Sequence, residues 1–287
     1  MKSGIKKKFV TALLAVLPVV IFVAIQLVVA FIGAIILTVG YIVVTGSADE
    51  YLLMEYILKQ TMLLTLISNI VTVIVSIPIL IFGKKNNLPK YSQEPGKFYK
   101  FSALSFTLCS TMIISVLASL VFALFSITDS TYGLVETAIM SSNPVVQVLA
   151  VVVLAPICEE IVFRRLVINK MLSAYSMHTA VIVSALLFAI AHGNITQGFY
   201  TFLMGILLGY LYIKTKSLLM CIIAHFINNL IAVVEMYVTF TPFIVEAIIF
   251  ALFLIPAILF LKDCRKFKVV KETEIIPEIQ QNVTEEI

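Results

Sequence analysis

The chain has 287 residues, 61% of them hydrophobic and 13% charged, with a mean hydropathy of +1.09. Soluble domains carry about 25% charged residues, so this composition excludes one; with several apolar runs of about 18 residues or more it indicates an all-α, polytopic membrane protein. The net charge of +4 is no sign of nucleic-acid binding, because the twenty Lys and Arg sit in short clusters between apolar runs, where they set orientation in the bilayer.

In chain order, Lys6–Lys8 and the apolar run to about Val44 form an uncleaved first span, because no small-residue cleavage site closes the run. That run is too long for one untilted span and is expected to protrude or kink near Pro18. The second span is expected at about 62–83 and the third at about 101–127, separated by the lysine-rich loop 83–100. A loop holding Asp129 and Glu136 follows. The fourth helix is expected to start at Asn143-Pro144, since proline suits the first helical position. Four more follow, at about 177–192, 197–213, 217–238 and 243–261, and the last fifteen or so residues read as a disordered tail. Bases mark the N-terminus and every second loop after it, which gives about eight transmembrane helices with both termini cytoplasmic. We divide the chain into N-terminal spans at 1–140, a helical core at 141–240, and the last span with its tail at 241–287. The four cysteines have no paired or metal-type spacing and read as free thiols.

Glu159 and Glu160 interrupt the most apolar stretch of the sequence, where an ionisable group costs several kcal/mol and needs a partner, a wet cavity or a function. Glu160 and Arg164 are four apart, share a helix face and should pair. Glu159 points about 100° away and is left for chemistry. Two more pairs at the same spacing, Phe188 with His192 and His225 with Asn229, mark apolar helices downstream. Counting from the nearest cytoplasmic marker puts Glu159 about 16 Å deep, His225 about 14 Å and His192 about 21 Å, all near the middle of a core about 30 Å thick. The bland alternatives are an ion-pair staple for Glu160 and Arg164, hydrogen-bonded membrane histidines, and interhelical glue for Asn229. Gly205 and Gly209 read as close helix packing, and Tyr210 and Tyr212 as interface anchors.

A carboxylate and an imidazole can take a proton from water. A second imidazole and an amide can donate to the oxygen of a tetrahedral intermediate. Such a set amounts to an amide hydrolase without a nucleophilic side chain. Glu159, His192 and His225 are also zinc-ligand types, although no local zinc motif supports that version.

Glu159-Glu160-x-x-x-Arg164, Phe188-x-x-x-His192 and His225-x-x-x-Asn229, in that order, resemble the three motifs of the CAAX prenyl protease and bacteriocin-processing (CPBP, or Abi) membrane proteases. Phe202-x-x-Gly205-x-x-x-Gly209 and Thr215-Lys-Ser-Leu218 are similar to the helix and turn between them. The resemblance covers roughly 150–232. It implies that Glu159 and His192 activate water, that His225 and Asn229 stabilise the oxyanion, and that Glu160 and Arg164 support the site. Arg165 departs from the glycine found in many members. The metal-free, glutamate-type version is favoured over zinc, so no cofactor is expected. The expected partners are the bilayer and a membrane-associated peptide or protein substrate, and the expected location is a bacterial plasma membrane. The alternatives are a non-catalytic membrane binder, such as a bacteriocin self-immunity protein, and a proton-coupled transporter; no inverted repeat supports the transporter.

Overall fold

A computed structural model of the chain describes residues 2–82, 87–89, 96–127, 129–237 and 242–263. Among them the backbone is helical with no strand. We number the helices α1 (Lys2–Thr45), α2 (Glu50–Phe82), α3 (Lys97–Leu124), α4 (Ser130–Ser141), α5 (Pro144–Met171), α6 (Met177–Ala191), α7 (Ile195–Thr215), α8 (Leu218–Tyr237) and α9 (Pro242–Asp263). Six of them (α1, α2, α3, α5, α7 and α8) are long and apolar enough to cross a membrane; α6 and Phe250–Lys262 within α9 are shorter apolar helices. The chain is an all-α, multi-pass membrane protein.

The helix of α1 runs through Pro18. Two boundaries differ from the sequence reading. Glu50–Phe82 is one helix, so the mixed lead-in with Glu55 and Lys59 belongs to the second span; these two side chains pair at 2.7 Å. The acidic loop after α3 contains a helix, α4, capped by Asp129, whose carboxylate accepts from the N–H groups of Thr131 and Tyr132. Loop residues 83–86 and 90–95, the side chain of Glu246, Cys264 and the tail lie outside the described residues.

Helix starts follow local chemistry. Asn143 caps α5 through the N–H groups of Val145 and Val146, with Pro144 next. Ser176 caps α6, and Asn194 caps α7. The turn from α7 to α8 passes through Lys216 in the left-handed region (φ 53°).

A main core joins most of the helices, and a smaller one of Met62, Ala138 and Ile139 ties α2 to α4. Ala15, Val19 and Phe22 of α1 and Leu104 and Leu108 of α3 pack with Val162, Phe163 and Val167 of α5, Phe188 of α6 and Leu208 of α7. Glycines allow the tightest approach. A Cβ on Gly205 would meet the Ala185 Cα at 3.0 Å, and one on Gly209 would meet Val181 at 3.0 Å and Ile168 at 3.3 Å, so α7 lies directly on α6. Tyr212, expected at the interface, is buried in this core instead. Tyr210 hydrogen-bonds the ring of His178. Cys109, Cys158 and Cys221 are buried free thiols.

Candidate functional site

The site is built on an irregular helix. In α5 the α-helical turns alternate with π-helical turns at Val148–Leu154 and Ile161–Ile168. Such insertions often occur at functional sites because they displace side chains and free carbonyls. The first has an identifiable cause. The N–H of Ala155 bonds back to the Ala150 carbonyl, five residues earlier. The next donor in that register would come from residue 156, but Pro156 has no N–H. The Val151 carbonyl instead accepts the side-chain amide of Asn229, from α8, at 2.9 Å. Asn69 of α2 donates to the neighbouring Ala150 carbonyl at 3.3 Å, and itself accepts from Gln26 of α1 at 3.0 Å. Ser184 of α6 donates to the Phe163 carbonyl at 2.9 Å. Three neighbouring helices thus bind the backbone of α5 through small polar side chains.

Glu159 and Glu160 lie on the short α-helical stretch between the two π segments. Glu160 is completely buried and holds two cations or donors at once. Its Oε2 lies 3.0 Å from Arg164 Nε, and its Oε1 accepts His225 Nδ1–H at 2.9 Å. The Arg164 contact is a charge contact whose geometry falls short of a hydrogen bond. The Arg164 guanidinium stacks over the Phe188 ring, 4.7 Å from its centroid, an arrangement that favours a planar cation. Phe188 also meets the rings of His192 and His225 edge-on, at 4.8 and 5.9 Å. The pairing of Glu160 with Arg164 is the one the spacing predicts. The bond from His225 to Glu160 is not, since no sequence rule relates positions 65 apart.

Glu159 is partly exposed, and its Oε2 lies 3.6 Å from His225 Nε2. His192 does not sit within a passing helix as the depth count assumes. It caps the C-terminal end of α6, followed by Gly193 in the left-handed region (φ 69°). Its Nδ1 lies 2.8 Å from the Phe188 carbonyl. A carbonyl can only accept, so Nδ1 carries a proton, and in the neutral ring the lone pair is then on Nε2.

A cavity of about 830 Å³ brings Glu159, His192, His225 and Asn229 together, while Glu160 and Arg164 lie in the packed wall behind it. Residues that the sequence reading passed over also line it. Gln197, Tyr200 and Thr201 form a stripe at i, i+3 and i+4 on α7, a period visible in the sequence. Asn228, set aside because it lies on another helix face, lines the cavity as well and accepts the Tyr200 hydroxyl. Glu235 lines the outer part. Asp129 joins two helix starts, because its second oxygen accepts the Thr196 N–H at 3.1 Å in the first turn of α7. These bonds, that from Thr196 foremost, hold the Asp129 carboxyl below its ordinary value.

No three His, Cys, Asp or Glu side chains among the described residues are grouped closely enough to hold a metal ion.

No curated protein and no solved structure matches the chain. A family model does match: residues 141–231, the segment that contains Glu159, Glu160, Arg164, His192, His225 and Asn229, are similar to the family described as type II CAAX prenyl endopeptidase Rce1-like.

Proposed function

We propose that the protein is an intramembrane endopeptidase that hydrolyses a peptide bond of a membrane-associated peptide or protein, in a multi-pass protein of the plasma membrane. The observation that carries this reading is the convergence of Glu159, His192, His225 and Asn229, from three helices, on one cavity backed by a buried Glu160–Arg164 pair. On this reading residues 141–240 are the catalytic core, and 1–140 and 241–287 support it.

Glu159 is the base. It has an exposed carboxylate edge and no arginine partner, since Arg164 is turned to Glu160. His192, with its proton fixed on Nδ1, offers Nε2 to the same water. The water oxygen attacks the scissile carbonyl carbon and its proton passes to Glu159. The carbonyl oxygen becomes an oxyanion within reach of the second N–H of the Asn229 amide, the first being held by Val151, and of His225 Nε2, which donates when the ring carries a proton on both nitrogens. When the C–N bond breaks, Glu159 returns the proton to the leaving amine. Glu160 fixes the His225 ring through Nδ1, so that Nε2 faces the cavity.

The test is cleavage of a panel of membrane-anchored peptides by purified protein, wild type beside Glu159→Gln, each with and without a strong chelator. Cutting that survives chelation and is lost, by at least about a hundredfold, in Glu159→Gln is the expected result. Cutting by Glu159→Gln at the wild-type rate sinks the assignment. Chelator-sensitive cutting restored by zinc would make the metal-free chemistry wrong. A non-catalytic membrane binder would bind the panel and cut none of it.

A further inference from the structure

The cavity is one-sided. Apart from Glu159 and His225, which lie just past the midpoints of α5 and α8, the lining residues of each helix come from the half nearer one face of the bundle. From α2 come residues such as Thr61 and Thr65, in its first half, and from α3 residues such as Ser115 and Phe122, in its second. The lining residues of α7 run from Thr196 to Met204, all in its first half, and α4 lies across the opening. The opposite half of the bundle is filled by the buried Phe163, Arg164, Val167 and Ile168. Glu159 and His225 therefore form the floor of a recess that opens at the end of the bundle where α1, α3, α6 and α8 finish and α2, α5, α7 and α9 begin.

The charges assign a side to that opening. Among the described residues the Lys and Arg side chains gather at the other face: Lys6, Lys7, Lys8, Lys97, Lys100, Arg165, Lys170, Lys214, Lys216 and Lys262. Arg164 is buried, and among the described residues Lys59 is the one Lys or Arg on the cavity side, where it pairs with Glu55. The connections on that side carry Asp49, Glu50, Asp129 and Glu136 instead. Basic loops are retained in the cytoplasm, which puts the mouth on the far face.

We propose that the site is fed from the non-cytoplasmic face, so that its substrate is a membrane-tethered peptide segment exposed on that face rather than a cytosolic C-terminus. The substrate half of this statement rests on the endopeptidase reading; the placement of the mouth does not. A peptide bond reaches Glu159 by descending beside α4, with its tether in the outer leaflet.

The experiment has two arms. In the first, single cysteines are placed at Thr131 at the mouth, Ser115 in the wall and Lys97 on the basic face, in a Cys264→Ser background whose other cysteines are buried. Intact bacterial cells are treated with a membrane-impermeant maleimide. Thr131→Cys and Ser115→Cys should label without permeabilisation, and Lys97→Cys only after it. The reverse pattern overturns the proposal, as does a Ser115→Cys that labels only after permeabilisation. In the second arm, right-side-out and inverted vesicles receive the same lipid-anchored quenched peptide on their outer surface. Cleavage by right-side-out vesicles alone is expected, and cleavage by inverted vesicles alone overturns the proposal. Expected labelling with no cleavage in either preparation supports the sidedness and defeats the endopeptidase reading, so the two failures are distinguishable.

Discussion

Glu159 and Glu160 are adjacent and chemically identical, yet the fold uses them differently. Glu160 has no exposed surface and lies between Arg164 and His225, whereas Glu159 keeps an edge in the cavity. Removing one partner of a buried charge pair costs about 3–5 kcal/mol, because the other charge stays behind without compensation. Glu160→Ala should therefore lower stability by about that much, whereas Glu159→Ala, at a partly wet position, should cost about 1 kcal/mol or less. Melting of the two variants in detergent checks this, and equal midpoints would remove the division of roles. The i, i+4 spacing makes the Glu160–Arg164 pair legible in the sequence. The third member, His225, is visible only in three dimensions.

At the scale of elements, α5 is held in an unusual register by groups on other helices. If Asn229 serves the Val151 carbonyl because Pro156 cannot, the two positions must be coupled. Asn229→Ala should cost about 1–3 kcal/mol in the wild type. In a Pro156→Ala background, where a backbone N–H is restored, it should cost clearly less. A double-mutant cycle of melting free energies reads the difference, and additive values would refute the account. Asp129 is the second such device, joining the starts of α4 and α7. Its carboxyl is held below the ordinary value, first by the Thr196 N–H, so the stability it provides is present above the unfolded-state pKa and is lost as pH falls through the lower, folded one. Wild type should thus melt above Asp129→Asn at neutral pH. That advantage should shrink only in acid below the ordinary carboxylate range. A pH series of melts on both proteins decides it, and a difference that persists in strong acid would show that the carboxylate charge is not responsible.

The larger of the two cores includes the N-terminal helices α1 and α3. Phe22 of α1 meets Phe163 of α5 edge to face at 6.0 Å, one residue before Arg164. Phe22→Ala should cost about 3 kcal/mol or more and lower a single melting transition. Two transitions, with only the first shifted, would show that residues 1–140 fold separately from the rest. The covering α4 and the buried half around Arg164 together give the recess its one open face.

By itself the sequence determined the class of the protein, because apolar length, the placement of bases and helix periodicity are local properties. Asn143 with Pro144 marked the start of α5, and Glu160 with Arg164 marked a helical neighbour pair, on the same grounds. The three polar helices could be singled out as well, since ionisable groups in hydrocarbon are costly wherever they occur. Only the tertiary structure decided what these groups do to one another. The π turns of α5 follow from donors on α2, α6 and α8 as much as from Pro156. The ring of His225 is oriented by a carboxylate 65 positions away. His192 stands at the cavity because α6 ends there. The physical reason is that hydrogen bonds between helices depend on packing distances of a few ångströms, and spacing along a chain does not encode them until the helices are assembled.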